Sequence, residues 1–226
     1  AGRWHTCAIM DNGSLMCWGQ GTDGQIGDGA ATHRSTPSYV SLPFGRTAEA
    51  VTGGRWHTCA ILDDGSLWCW GNNNYYQLGD GTSVSRATPV SSSLPAGRTA
   101  VSVAAGDTYT CAILDDGSVR CWGYNNQGQL GTGSTSHSYS NKVQPLLPSG
   151  SKAVAIGVED VHTCVILDDG SVWCWGYNME GQIGNGYSGS SLWNALSPVQ
   201  VNLPSGRTAQ LLAVGRYHTC VVLAPN

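Results

Sequence analysis

The chain has 226 residues, with 11 Lys and Arg against 15 Asp and Glu, a formal net charge of -4 and only 12% charged residues. That balance, with no cluster of basic residues to neutralise phosphates, argues against nucleic acid as a partner. No apolar run approaches the roughly 18 residues needed to cross a bilayer, so membrane insertion is not expected. The abundance of Gly, Ser, Thr and Asn suits short strands and polar turns better than helices. With no charged-then-apolar leader before Ala1, the expectation is a removed signal or a stretch cut from a longer precursor.

From the N-terminus, GRWHTCAIMDNGSLMCWG at 2 to 19 reads as a hairpin. Residues 7 to 10 and 14 to 18 flank Asp11, Asn12 and Gly13, a three-residue loop with Gly where φ must be positive. That loop length sets Met10 opposite Ser14, Ile9 opposite Leu15, Ala8 opposite Met16 and Cys7 opposite Cys17. Both faces of the hairpin are apolar, so other sheets are expected on each side. A third strand is predicted near Pro37, and a fourth, mostly apolar, before the block begins again. Asn12, in Asn-Gly-Ser, is a candidate glycosylation site in a turn that later copies fill with Asp.

The block recurs as GRWHTCAILDDGSLWCWG at 54 to 71, GDTYTCAILDDGSVRCWG at 106 to 123 and EDVHTCVILDDGSVWCWG at 159 to 176, and GRYHTCVVLAPN ends the chain. The first cysteines, Cys7, Cys59, Cys111, Cys164 and Cys220, are 52, 52, 53 and 56 positions apart. Such a period indicates a solenoid or a propeller, and four short strands in about fifty residues is one propeller blade. The reading is one all-β domain over 1-226, with repeats 2-53, 54-105, 106-156 and 157-214 and a partial fifth at 215-226.

The same turn count pairs Cys59 with Cys69, Cys111 with Cys121 and Cys164 with Cys174. Opposed residues have Cβ atoms about 4.5 to 5.5 Å apart, near the roughly 3.8 Å a disulfide prefers, so cross-strand bridges are feasible. Each closes a small loop and contributes on the order of 2 to 3 kcal/mol. Buried free thiols are the alternative, while zinc needs closer spacings than any here. Repeated bridges imply an oxidising compartment, hence an extracellular or cell-surface location. Nine cysteines less eight leave Cys220, which suggests a bond to another molecule or a missing partner segment.

Other candidates have plainer readings. His5, His57, His162 and His218 each precede a cysteine by two, and hydrogen bonding within the blade is expected of them rather than metal ligation. Asp63 with Asp64, Asp115 with Asp116 and Asp168 with Asp169 sit in turns, where Asp stabilises backbone. The GDGT loop at 79 to 82 lacks the Lys and helix of a phosphate cradle. Tyr75, Tyr76, Tyr124 and Tyr177 occupy equivalent loops and suggest an aromatic rim for a surface glycan. The longest insertion, 187 to 198, carries Tyr187 and Trp193, and an exposed Trp there reads as a contact anchor.

The recurring elements resemble the regulator of chromosome condensation repeat, whose blade carries Gly followed by His-Thr, a small-apolar strand, a Gly turn, a Trp-Gly pair and a loop ending Gly-Gln-Leu-Gly-x-Gly. The last part reads GQIGDG at 24 to 29, YQLGDG at 76 to 81, GQLGTG at 128 to 133 and GQIGNG at 181 to 186. Tyr76 replaces one expected Gly and Tyr109 one expected His. The resemblance implies a β-propeller with the mostly apolar strand innermost, and a binding platform of the kind some members use to act on a small GTPase. The paired cysteines fit exported relatives better than the nuclear type.

The unfinished fifth copy is expected to leave strand edges that invite pairing. Three accounts stand: a fragment of a larger ring, a four-bladed ring with a spare tail, or an open arc whose ends meet other chains. The favoured function is a non-enzymatic extracellular protein without cofactor, associating with copies of itself into a ring or filament. A monomeric recognition module, lectin-like or a protein inhibitor, is the alternative. A GTPase exchange factor conflicts with the inferred bridges, and no nucleophile, base and oxyanion donors come together for an enzyme.

Overall fold

The computed structural model describes residues 1–189 and 194–225, with backbone alone at 139 and 140. The described secondary structure is all β, arranged as five antiparallel sheets that follow one another along the chain. The first sheet has three strands, β1 (His5–Ile9), β2 (Leu15–Gly19) and β3 (Arg34–Tyr39). Three four-stranded sheets follow. They are β4 (Ala48–Gly53) to β7 (Arg86–Ser91), β8 (Ala100–Ala105) to β11 (Ser138–Val143), and β12 (Ala153–Glu159) to β15 (Ala195–Gln200). The fifth has two strands, β16 (Ala209–Gly215) and β17 (His218–Leu223).

The first strands of successive sheets pack on one another, β4 on β8, β8 on β12 and β12 on β16, and so lie nearest a common axis. The sheets are therefore blades, and the sequence repeat is offset from the blade by one strand. The apolar run 48 to 53 closes the first repeat in sequence yet pairs with β5 (His57–Leu62) of the second sheet. The same offset gives β16 to β17, leaving β1 without an inner neighbour among the described residues. A four-bladed ring in which 209 to 214 completes the first blade is thus not what forms. The strands make an arc, open at both ends.

Hairpin register follows turn length. Gly13 has φ +75°, its N–H donates to the Met10 carbonyl, and Met10 N–H donates to the Ser14 carbonyl. Leu15 then faces Ile9 and Cys17 faces Cys7. In the later copies Asp64, Asp116 and Asp169 accept the backbone N–H of Ser66, Ser118 and Ser171, and hydrogen bonds from these serines hold their carboxyls below the usual range. Each turn therefore uses its second acidic residue as a local brace.

Alternate residues of each hairpin face opposite neighbours, so the cores lie between blades. Leu15, Cys17 and Ile26 of the first blade pack with Ala60, Leu62 and Trp70 of the second, and Cys59, Ile61 and Leu78 with Ala112 and Trp122 of the third. Leu130 and Cys111 of the third meet Val165, Leu167 and Trp175 of the fourth.

Candidate functional site

The blades are joined by one hydrogen-bonded clasp, repeated. In the second blade, Thr58 Oγ1 and Trp70 Nε1 both donate to the carbonyl of Gln25 in the first, at 2.8 and 2.9 Å. Thr110 and Trp122 treat Gln77 alike, and Thr163 and Trp175 treat Gln129 alike. The preceding histidine completes the set, with His5 Nε2 2.7 Å from Thr58 Oγ1 and His57 Nε2 2.8 Å from Thr110 Oγ1. Because each Thr hydroxyl proton goes to a Gln carbonyl, the imidazole Nε2–H donates to the Thr oxygen.

His5, His57 and His162 therefore bond across the interface and not within their own blade, a correction to the sequence reading. Alternation alone does not say whether a side chain leaves a strand toward its own sheet or the next. The Nδ1 atoms of His5, His57 and His162 are buried without a partner, and a proton there would be a charge without compensation. Burial accordingly drives the pKa of His5 to about 4, of His57 to about 3 and of His162 to about 4. Tyr109, which replaces one histidine, donates its hydroxyl to the His162 carbonyl at 2.7 Å and lies 3.0 Å from Thr163 Oγ1. The substitution keeps the contact by using a longer ring with an oxygen at its end.

Near the axis, the residue after the first Gly or Glu of each block forms a charged ring that the sequence reading missed. Its signal was there as the succession Arg3, Arg55, Asp107, Asp160 and Arg216. Arg3 reaches Asp160 at 3.4 Å and Asp107 at 4.0 Å, Arg55 reaches Asp107 at 3.1 Å, and Arg216 pairs with Asp160. Burial, and then the Asp160 charge, raise the carboxyls of Asp107 and Glu159 above their ordinary range.

The four bridges Cys7–Cys17, Cys59–Cys69, Cys111–Cys121 and Cys164–Cys174 are present, each between directly opposed residues with Cα atoms 4.1 Å apart. Cys220 is a free, exposed thiol on β17 opposite Ala213. On the rim, Tyr75 packs at a tilt against Tyr124 with centroids 4.6 Å apart, and Tyr124 against His137 at 4.4 Å, so the histidine joins a group the sequence reading confined to tyrosines. Tyr177 is half-buried in the equivalent loop of the fourth blade, Tyr187 is exposed, and Trp193 lies outside the described residues. Tyr76 keeps the left-handed backbone of the glycine it replaces, with φ 63°. Asn12 is exposed, its Oδ1 accepting the Ser14 N–H.

At the open ends the clasp is half made. Thr6 and Trp18, equivalent to Thr58 and Trp70, meet no Gln carbonyl among the described residues and are partly exposed. Thr219 of β17 donates to the Gln182 carbonyl at 2.9 Å and receives His162 at 3.1 Å, but no described indole joins them.

Wedge-like antiparallel blades, inner strands around an axis and a repeated interface define a β-propeller assembly. Sequence models of the regulator of chromosome condensation (RCC1) repeat match residues 64–113, 116–166 and 169–222, and a second model of that description matches 1–25, 49–77, 100–129 and 152–182. The chain belongs to the RCC1 repeat family. It is 33% identical over 226 residues to the Arabidopsis thaliana ultraviolet-B receptor UVR8, covering all of this chain and 50% of the relative. It is 31% identical over 223 residues to the human E3 ubiquitin-protein ligase HERC2, covering 97% of this chain and 4% of that protein. The chain thus spans half or less of these relatives. Human WBSCR16 superposes with TM-score 0.88 at 23% identity, covering 100% of this chain and 57% of that one. Yeast RCC1 (Prp20), solved bound to Kap60, gives 0.81 at 20%, covering 99% and 52%. These two share the fold.

Proposed function

We propose that this chain is a non-enzymatic interaction protein of an oxidising, extracellular setting, which associates with copies of itself through its two open ends. The observation that carries the reading is the half-made clasp: among the described residues Thr6 and Trp18 meet no Gln carbonyl, and the Gln182 carbonyl receives Thr219 without an indole beside it. The four bridges support the compartment, since such pairs persist where thiols are not kept reduced. Protein binding suits the family, one of whose members was solved bound to Kap60. A heterologous contact of this kind gives a ring if its rotation closes and a filament if it does not.

Sedimentation velocity of the oxidised full chain over a concentration series tests this. Concentration-dependent species above the monomer are expected, and a monomer at every concentration sinks the reading.

A second reading, recognition of a surface glycan, is favoured by the cluster of Tyr75, Tyr124 and His137, because apolar sugar faces pack on aromatic rings. Tyr124→Ala should then abolish capture on a glycan array and leave the sedimentation profile unchanged.

A further inference from the structure

The third blade departs from the other repeats at places that border one hollow. In the first and second blades Asp28 and Asp80 pair with Arg34 and Arg86, six residues on, at the start of the outer strand. The third blade has Thr132 and Ser138 at those positions, so both ends of the ion pair are replaced by short hydroxyl side chains. Its outer strand is also longer by one residue. In β11, residues 138 to 143 span the same stretch of the neighbouring strand that 34 to 38 span in β3 and 86 to 90 span in β7. An extra residue against an unchanged partner bends the strand away from it.

The hollow so bordered holds about 420 Å³, within the roughly 300 to 1,000 Å³ of small-ligand sites. It is lined in part by Thr132, Ser134, Ser136, His137, Ser138 and Asn141. The fully buried Asn125 fixes its loop, donating Nδ2 protons to the Ser134 and Ser136 carbonyls at 2.9 and 2.8 Å and its backbone N–H to His137 Nδ1 at 3.0 Å. His137 also packs on Tyr124, so the hollow and the aromatic cluster are continuous.

We propose that this hollow binds one neutral hexose unit of a glycan, with its hydroxyls bonded by Thr132, Ser134 and Ser136 and its apolar face on the aromatic cluster. This rests on the glycan reading above and names its pocket and its class of sugar. Among the described residues no charged side chain lines the hollow, so a phosphate, sulfate or carboxylate would enter without a counter-charge. The nearby cation is already engaged. Lys142, which stands where β3, β7 and β15 have Pro37, Pro89 and Pro198, donates to the Gly79 carbonyl of the second blade at 2.9 Å, with Nζ 4.7 Å from the centre of the Trp122 ring. What the wall offers is groups that both donate and accept, as the adjacent hydroxyls of a hexose require. The hydroxyls of Thr132 and Ser134, 3.1 Å apart, bond one another and retain capacity for a ligand.

The test measures capture by the full oxidised chain on an array of neutral hexose-terminated glycans and their sialylated or uronic-acid counterparts. The informative variant combines Thr132→Asp with Ser138→Arg, which builds into the hollow the ion pair of the first two blades and leaves Tyr75, Tyr124 and His137 in place. The parent should capture neutral glycans in preference to acidic ones, and the double variant should capture them at least about tenfold more weakly. Ser136→Trp, which fills the hollow from an exposed position, replaces the double variant if circular dichroism shows that one unfolded.

A parent that captures no glycan overturns both this proposal and the glycan reading. Capture confined to acidic glycans overturns this proposal alone. So does neutral capture that Tyr124→Ala abolishes and the filled hollow leaves intact, since the sugar then lies on the aromatic cluster without entering the hollow.

Discussion

Trp70 of the second blade donates its indole N–H to the Gln25 carbonyl of the first, 2.9 Å away, and is itself fully buried. The bond fixes the Gly-Gln-Ile-Gly loop, and the ring fills the space between that loop and the neighbouring hairpin. The two contributions separate by substitution. Trp70→Phe removes the donor and part of the ring, while Thr58 still satisfies the carbonyl, so a loss of about 1 to 2 kcal/mol is expected. Trp70→Ala also empties the space, and about 3 to 5 kcal/mol is expected. Urea unfolding of both variants measures the difference, and equal losses would deny the ring its packing role.

Gly27 tests the same contact from the other side. It has φ +81°, and a Cβ would lie 2.6 Å from Trp70 Nε1. Gly45 has a similar φ of +75° with nothing within 4 Å. Gly45→Ala should therefore cost only the backbone term, roughly 1 kcal/mol, and Gly27→Ala that term plus roughly 1 to 3 kcal/mol of overpacking. Similar melting temperatures for the two would show that the loop yields without strain.

How much of this was legible depends on the range of each interaction. The opposition of Cys7 and Cys17 was readable because both lie on one hairpin and a three-residue turn fixes the count. The same reasoning stops at the blade edge: the His5 and Thr58 bond spans 53 positions, and a period of two names a face without naming what covers it. The axial contact between Arg3 and Asp160 spans 157 positions and depends on the curvature of the whole arc, which no local pattern encodes. The aromatic rim was half legible. Tyr75 and Tyr124 share a loop position, whereas His137 enters from the far end of its loop.

Accessibility sets the order in which the bridges reduce. Cys59, Cys69, Cys111, Cys121, Cys164 and Cys174 are fully buried, whereas Cys7, packed at the margin of the core between the first and second blades, is partly exposed. Attack by a thiolate requires access, so dithiothreitol under native conditions should open Cys7–Cys17 first and the others only on unfolding. Alkylation followed by peptide mass mapping reads the order; simultaneous reduction of all four would contradict it. Replacing Cys59 and Cys69 together by Ala should cost about 2 to 3 kcal/mol in the loop-entropy picture.

Acid should weaken the fold through the clasp. An unfolded chain protonates its histidines near 6.5, whereas His5 and His162 do so only near about 4 and His57 near about 3, because burial disfavours the charge. Between those values the unfolded chain binds more protons, so stability falls as pH drops through the window. From pH 7 to pH 5 the loss is roughly 2 kcal/mol per histidine as an upper bound. Asp107 and Glu159, with raised carboxyls, act in the opposite sense and flatten the slope toward the carboxylate range. Urea unfolding at pH 7, 6 and 5 measures the trend, and constant stability would mean the histidines open to solvent.

Asp160 is the negative centre of the axial ring, with a side chain 7% exposed between Arg3 and Arg216. Its φ of 39° is left-handed, a conformation Asn tolerates as Asp does, so Asp160→Asn removes charge with little change of backbone or shape. Two effects oppose each other. The arginines lose a partner, although Arg3 keeps Asp107 at 4.0 Å, and Asp107 and Glu159 are relieved of a like charge. The Arg side chains are 25% and 47% exposed, which limits the loss, so a net destabilisation of about 1 kcal/mol that shrinks with added salt is expected. The relief has its own signature: in carboxyl-detected NMR titrations of the variant, Asp107 and Glu159 should move down toward the ordinary range. Unmoved titrations together with unchanged stability would mean that the ring does not couple the first blade to the fourth.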